Sequence, residues 1–153
     1  MLEVINLVLT SGEVKRNKHE IPQRVDVDLD IADIKSEIED GAILSFTYKV
    51  NYTPDVGSVT IKGRAYCRDT PSNIKRLLAG YKKKKPPIEL LAGALNMINS
   101  NVGLNCVFLM RPFNLVPHFV PPPIYTEEDL KQSFKVGKSE VPPKPKGRKK
   151  SKK

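Results

Sequence analysis

Several residue types that carry chemistry are scarce or missing in this sequence of 153 residues. Tryptophan is absent, and the only histidines and cysteines are His19, His118, Cys67 and Cys106. Two cysteines far apart in sequence indicate neither a metal motif nor a disulfide framework, and burial as reduced thiols is their common state. A glycine-rich phosphate-binding loop is also missing. We therefore predict a protein that is not an enzyme, with no catalytic residue, no metal and no cofactor.

Long apolar runs are missing as well. No stretch approaches the roughly 18 apolar residues that a membrane-spanning helix needs. The first sixteen residues, MLEVINLVLTSGEVKR, are apolar at the start but have neither the basic beginning nor the cleavage site of a secretory signal. We interpret Leu2–Leu9 as a β-strand instead. The sequence therefore predicts a cytoplasmic protein, and its length predicts one folded domain.

Acidic residues are missing from the end of the chain. The last twelve residues, PPKPKGRKKSKK, carry seven basic groups and account for most of the net charge of +9. From Gly137 onward the composition is dominated by Lys, Pro, Gly and Ser, which cannot bury enough apolar surface to fold. We predict a folded α+β domain over residues 1–136 and a disordered basic tail over residues 137–153.

The basic runs are one candidate for function. Both the tail and Lys82–Lys85 are able to bind phosphate backbones or an anionic lipid surface. Neither run has interleaved aromatic side chains, which argues against stacking with single-stranded nucleic acid. A solubilising role for the tail therefore stands beside a role in binding nucleic acid or the ribosome.

Four segments have the pattern of β-strands. After the first, RVDVDLDI, ILSFTYKVNY and VTIKGRAYC alternate with period two, and the turn sequences EDGA and TPDVGS separate them. Ile34 falls out of phase with Ile31, which predicts a bulge or break near Ala32–Asp33. Gly63 and Ala65 make one face of the last strand small, so another group can approach the sheet there. The pattern predicts a four-stranded antiparallel meander.

Three carboxylates, Asp26, Asp28 and Asp30, lie on one face of the second strand. Carboxylates at alternate positions of a strand are about 7 Å apart, too far to share one ion unless other ligands join. We favour a solvated acidic stripe, with docking of a basic partner as its functional alternative.

The hydrophobic period changes to that of a helix after residue 70. TPSNIKRLLAGYKKKK predicts a short helix with a cap at Ser72 and an end near Gly80. PPIELLAGALNMINSNVG predicts the main helix, which proline opens and Gly103 can cap, before LNCVFLM continues as a strand or as further helix. Two adjoining apolar stripes make its face wider than one sheet requires, so we expect a second subunit against it. The predicted subunit interface consists of Ile88, Leu91, Leu95 and Ile98.

An apolar segment rich in proline follows the main helix. Residues 111–124, RPFNLVPHFVPPPI, hold five prolines, and proline blocks helices and central strands. The segment is either a lid over the domain's own core or the wall of an open apolar groove. A short amphipathic helix with Leu130 and Phe134 on one face is predicted after it.

The order of these parts resembles the SecB chaperone family. Residues Pro87–Pro121 are similar to that family's proline-led helix and following loop, whose pattern PxxLxPVNF is similar to RPFNLVPHF here, and VTIKGRAYC resembles its last strand. The resemblance extends from about Val4 to Ile124. It implies a cytosolic holdase for unfolded polypeptides that works without ATP, serves protein export, and forms dimers that pair into tetramers.

The resemblance also implies which side chains bind clients. Aromatic and aliphatic surface gives affinity without sequence demands, at about 25 cal/mol per Å² buried, and prolines keep the loop from joining the core or the sheet. The side chains carried over by position are, from the sheet, Leu44, Phe46, Tyr48 and Tyr52, and, from the helix end and loop, Leu104, Phe108, Phe113, Leu115, Phe119 and Val120.

The charge of the tail departs from the SecB pattern. Bacterial members of the family have an acidic or polar tail that engages the SecA motor, whereas this tail is basic. Delivery to SecA is therefore not carried over to this chain. Ribosomal RNA, an anionic lipid surface or an acidic protein is the kind of partner that a basic tail fits. The sequence names neither the clients nor the sheet face that would bind them.

Overall fold

The computed structural model describes residues 1–117. The predicted helix at Leu130 and Phe134 and the basic tail lie outside these residues. Within them, the elements are the strands β1 (Glu3–Arg16), β2 (Arg24–Ile38), β3 (Gly41–Thr53) and β4 (Gly57–Arg68), the helices α1 (Pro71–Lys82) and α2 (Ile88–Met110), and a 3-10 turn over Arg111–Phe113. The predicted α+β class, a four-stranded antiparallel sheet with one main helix, is confirmed.

The four strands form one antiparallel sheet in the order β1-β4-β3-β2. Strands β2, β3 and β4 form the two predicted hairpins, but β1 lies beside β4 instead of continuing the meander next to β2. The connection over residues 17–23 explains the difference, because it crosses the end of the β3–β4 hairpin. The backbone amides of Asn17 and Lys18 donate to the carbonyl oxygen of Val56, and that of Gln23 donates to Thr53. Strands β1 and β2 are thus the two edges of the sheet.

The predicted irregularity in β2 is a bulge rather than a break. The pairing of β2 with β3 shifts register between Ile31 and Asp33, and the strand then continues to Ile38. One extra residue in a strand moves the following side chains to the opposite face. Ile34 is therefore buried although its spacing from Ile31 is odd.

One face of the sheet is apolar and both helices cover it. The alternation of β3 and β4 puts their apolar side chains on this face, and the opposite face carries the polar residues of the same strands. The helix α1 adds Ile74 and Leu77 to the core. The inner side of α2 adds the apolar residues Leu90, Leu91, Ala94, Leu95, Ile98, Val102, Cys106 and Met110.

Both helices differ in their ends from the sequence prediction. The first begins at Pro71 with Thr70 as its cap, not at Ser72, because proline suits the first helical position. The second continues through Gly103 as far as Met110. Glycine costs about 1 kcal/mol inside a helix, but the burial of Cys106 and Met110 in the turns beyond it favours continuation. The described helices are too short or too polar to span a membrane.

The sequence predicted that another group can approach the sheet closely at Gly63, and in the structure this group is the ring of Phe46 in the neighbouring strand β3. Phe46 and Gly63 are paired across β3 and β4. A Cβ atom on Gly63 would lie 2.5 Å from Cζ of Phe46 and 2.7 Å from the carbonyl oxygen of Val8. The ring of Phe46 therefore fills the space that a side chain at position 63 would need, as aromatic residues do over glycines in sheets.

The two thiols are buried, as predicted. Cys67 lies on the inner face of β4 and Cys106 on the inner side of α2, and neither forms a disulfide. Burial raises the pKa of each thiol to about 12. Since only the thiolate reacts readily, both groups are chemically inert in the folded chain.

Candidate binding surface

The outer side of α2 carries a stripe of exposed apolar side chains, formed by Met97, Leu104 and Phe108. Leu104 and Phe108 follow Met97 at two and three helical turns, so the three lie on one line along the helix. Their side chains are 46 %, 69 % and 71 % exposed. Glu89, in the first turn, is the only charged residue of this helix. An uncharged stripe that includes the largely exposed phenyl ring of Phe108 is the kind of surface that binds another chain.

The first apolar stripe of α2 seen in the sequence is covered by the sheet, whereas the second is buried at Leu90 and Ala94 and becomes exposed only from Met97 onward. Leu91, Leu95 and Ile98 of the predicted subunit interface are buried against the chain's own sheet, and Ile88 is half-buried. They form core in the single chain rather than an open interface. The sequence shows that this helix has two apolar sides, but local periodicity does not show which side meets the sheet. The side left for a partner is the outer stripe.

The segment after α2 extends this surface around the end of the helix. Phe113, at the end of the 3-10 turn, is 43 % exposed, and Val116 is also exposed. Between them Leu115 is buried, and a Cβ atom on Gly57 would lie 3.2 Å from its Cδ2 atom. Over residues 111–117, which the structure describes, the segment therefore contributes both to the core and to the exposed surface. Leu115 closes the core, while its neighbours stay open to solvent beside the outer stripe.

Two side chains from the sheet hold this segment in place. The guanidinium of Arg16, at the end of β1, donates to the carbonyl oxygen of Phe113 at 2.9 Å and also to that of Asn114. The hydroxyl of Tyr52 donates to the carbonyl oxygen of Val116 at 2.8 Å and touches the sulfur of Met110. Such bonds matter here because a proline-rich segment lacks the donors to satisfy its own carbonyl groups.

The hydroxyl of Tyr52 keeps its proton under all ordinary conditions. Burial raises the pKa of Tyr52, and the nearby Cys106 thiol raises it further. The phenol therefore stays a hydrogen-bond donor to Val116 across the physiological pH range. This contact ties the end of β3 to the segment that follows α2.

Replacing Arg16 with Met should loosen the 113–116 segment. The change keeps the apolar stem but removes the donors, and we expect the free energy of unfolding to fall by about 1–2 kcal/mol. Hydrogen exchange should quicken at the amide of Leu115, which donates to Met110. The matched control is Lys15→Met, because the exposed Lys15 side chain forms an ion pair with Glu13 on the surface. Equal exchange in the two variants would contradict the anchoring role of Arg16.

The predicted client residues on the sheet are core residues. Leu44, Phe46, Tyr48 and Tyr52 are at most 2 % exposed. The helix α2 covers their face, and a Cβ atom on Gly103 would lie 3.5 Å from the hydroxyl oxygen of Tyr48. Because these four side chains are buried in the core, none of them offers surface to a client in this structure.

The predicted client residues beyond the sheet have three different outcomes. Leu104, Phe108 and Phe113 are exposed and lie on one continuous part of the chain. Leu115 is buried, and Phe119 and Val120 lie outside the described residues. The exposed residue Met97 was not predicted to bind clients, although the sequence places it beside the main stripe. Arg16 has no local signal in the sequence, because its partners lie almost one hundred residues further along the chain.

The acidic residues of β2 lie on the solvated face of the sheet. Asp26 accepts a hydrogen bond from Arg24, and Asp28 lies opposite Lys49 in the register of β2 and β3. In the part of the chain that the structure describes, no three His, Cys, Asp or Glu residues come together in a way that could hold a metal. Local basic partners thus accompany part of this stripe.

Comparisons with known proteins bear on the fold. No protein-family model and no curated protein matches the chain. Among solved structures, it is similar to the SecB-like chaperone Rv1957 of Mycobacterium tuberculosis, solved in complex with a ChAD peptide from the HigA1 antitoxin, Rv1956. The TM-score is 0.58 and the identity 10 %, over 79 % of this chain and 86 % of that one. A similarity at this identity is one of fold, and it confirms the SecB-like architecture.

Proposed function

From a SecB-like fold with an uncovered apolar stripe, we propose that this protein is an ATP-independent holdase, which binds non-native polypeptides and keeps them from aggregating. The observation that carries the proposal is the exposure of Leu104 and Phe108 on a helix that is uncharged beyond its first turn. Apolar contact of this kind binds many sequences because it makes no demand on hydrogen-bond pattern. The client class that fits it is an unfolded chain with exposed aromatic and aliphatic residues.

The fixed segment after α2 supports the same proposal. A client needs a surface that does not collapse when the client leaves. Arg16 and Tyr52 fix the backbone around Phe113 by hydrogen bonds to carbonyl oxygens, so the phenyl ring remains exposed to solvent. A surface already in place also avoids part of the ordering cost of binding. The similar chaperone from Mycobacterium tuberculosis was solved with a peptide bound, which is the same class of ligand.

We extend the proposal to assembly and location. A homo-oligomer, a dimer or a tetramer, is the state that we expect, because α2 is apolar on both sides and one subunit covers only its inner side. A cytoplasmic protein that delivers clients for export is the matching cellular role. Mass measurement in solution tests the first point, and a monomer at all concentrations would contradict it.

The proposal is tested by aggregation of a chemically denatured client, followed by light scattering. The full chain should suppress aggregation at near-stoichiometric concentration, and addition of ATP should change nothing. A client that aggregates equally fast with and without the protein would refute holdase activity. Suppression that requires ATP would refute the mechanism, because a holdase acts by binding alone.

A further inference from the structure

Five exposed cations, Arg76 and Lys82–Lys85, lie within ten residues of sequence around the corner where α1 ends and α2 begins. Arg76, Lys83 and Lys85 face a hollow of about 420 Å³, and Glu89, the one acidic residue in its lining, is bonded to the Arg76 guanidinium. The remaining lining residues are Ala79, Gly80, Pro86, Pro87 and Ile88. The corner therefore has a strong positive charge around a concave surface.

The backbone of the lysine run is held in a defined turn. The amides of Lys83, Lys84 and Lys85 donate to carbonyl oxygens in the last turn of α1, and Lys84 has a left-handed φ of 55°. Gly80 gives the room for this turn, since a Cβ atom there would lie 2.8 Å from the carbonyl oxygen of Lys85. The hydroxyl of Tyr81 donates to the carbonyl oxygen of Ala32, which ties the corner to β2. Like charges that are held together this way repel one another and favour a polyanion.

We propose that this corner binds the phosphate backbone of a structured nucleic acid, without reading its base sequence. Cations around a concave surface match phosphate groups along a backbone. Tyr81, at the end of α1, is half-buried and already hydrogen-bonded, so among residues 1–117 the corner presents no free ring for base stacking. A lipid surface fits less well, because membrane-surface sites combine basic residues with exposed apolar ones, and the exposed apolar stripe lies further along α2.

The nucleic-acid site lies at the start of α2, and the proposed client surface begins at Met97. Nine residues separate Ile88 from Met97 and twenty separate it from Phe108, which corresponds to about 14 Å and about 30 Å at 1.5 Å per residue. No side chain belongs to both surfaces. This inference therefore goes beyond the holdase proposal and does not rest on it, and each activity can be removed without the other.

The test compares two variants of the full chain with the same loss of charge. In the corner variant Lys82, Lys83, Lys84 and Lys85 become Gln, and in the tail variant Lys149, Lys150, Lys152 and Lys153 become Gln. Binding to a fluorescein-labelled RNA duplex is followed by anisotropy over a series of salt concentrations. The corner variant should bind at least tenfold more weakly than the tail variant at low salt. Relative to the wild type, its salt slope should fall by about 3.6, as expected for four lost phosphate contacts.

Three further measurements decide the alternatives. A variant with Arg at positions 82–85 should restore binding, which separates loss of charge from damage to the fold. Equal affinities and salt slopes in the corner and tail variants would overturn the proposal. Selective loss of binding to phosphatidylserine vesicles or to an acidic peptide, with RNA binding unchanged, would overturn it in favour of that ligand. Holdase activity should be the same in the corner variant and the wild type.

Discussion

The double variant Leu104→Ser, Phe108→Ser is expected to bind clients about a hundredfold more weakly while the fold keeps its stability. Each side chain contributes on the order of 1.5 kcal/mol when a client covers it, and about 1.4 kcal/mol changes affinity tenfold. Both are more than two-thirds exposed, so the core loses little, and we expect a change of about 0.5 kcal/mol or less in the free energy of unfolding. The measurements are the Kd for a labelled unfolded peptide and urea denaturation.

A matched control removes similar apolar surface elsewhere. Ile21 is 87 % exposed in the connection between β1 and β2, and Ile38 is 56 % exposed at the end of β2. The variant Ile21→Ser, Ile38→Ser should hold clients as the wild type does. An equal loss in the two double variants would mean that clients adhere to exposed apolar residues in general, and the stripe on α2 would then have no special role.

The variant Phe46→Ala should lose about 3–5 kcal/mol of unfolding free energy, which is the range for truncating a buried phenylalanine. Phe46 is 2 % exposed, and its ring covers Gly63, so truncation opens a cavity over bare backbone. Client affinity of the folded fraction should not change, because a client does not reach this ring. Urea denaturation gives the stability, and peptide binding under strongly native conditions gives the affinity.

Phe113→Ala is the comparison for this prediction, because it makes the same chemical change at a side chain that is 43 % exposed. It should cost less than about 1 kcal/mol of stability and should weaken client binding. Since a loss of several kcal/mol can unfold a domain of ordinary stability, Phe46→Leu serves as a milder second variant. A stable Phe46→Leu protein that has lost client binding would show that clients reach the sheet face, contrary to the structure.

Local pattern predicted most of the sheet and the main helix. The alternation of β3 gave its apolar face correctly, and the change of phase after Ile31 gave the bulge in β2. The position of β1 could not be read in this way, because the strand beside which it lies is chosen by pairing across some fifty residues. A local sequence pattern does not show which distant strand β1 pairs with. The same limit applies to α2, whose two apolar sides are alike in sequence.

The candidate surface was predicted only in part, because some of its contacts also join residues that are far apart in sequence. Proline content indicated that the segment after α2 would not be regular structure, and its exposed residues include Phe113. The bonds that hold it come from Arg16 and Tyr52, which lie in the first and third strands. Nothing near either residue distinguishes it from any other arginine or tyrosine in a strand. The client residues predicted on β3 share a strongly apolar pattern that serves core and binding surface equally well.

The place of β1 at the edge of the sheet has a consequence for synthesis. Its partner in the sheet is β4, which is complete only at Arg68. At about 5–20 residues per second, roughly 3–10 seconds pass between the emergence of the two strands. For that time Val4, Leu7 and Leu9 have no neighbouring strand to pair with. Each newly made copy thus passes through the same exposed, aggregation-prone condition as the chains it is proposed to hold.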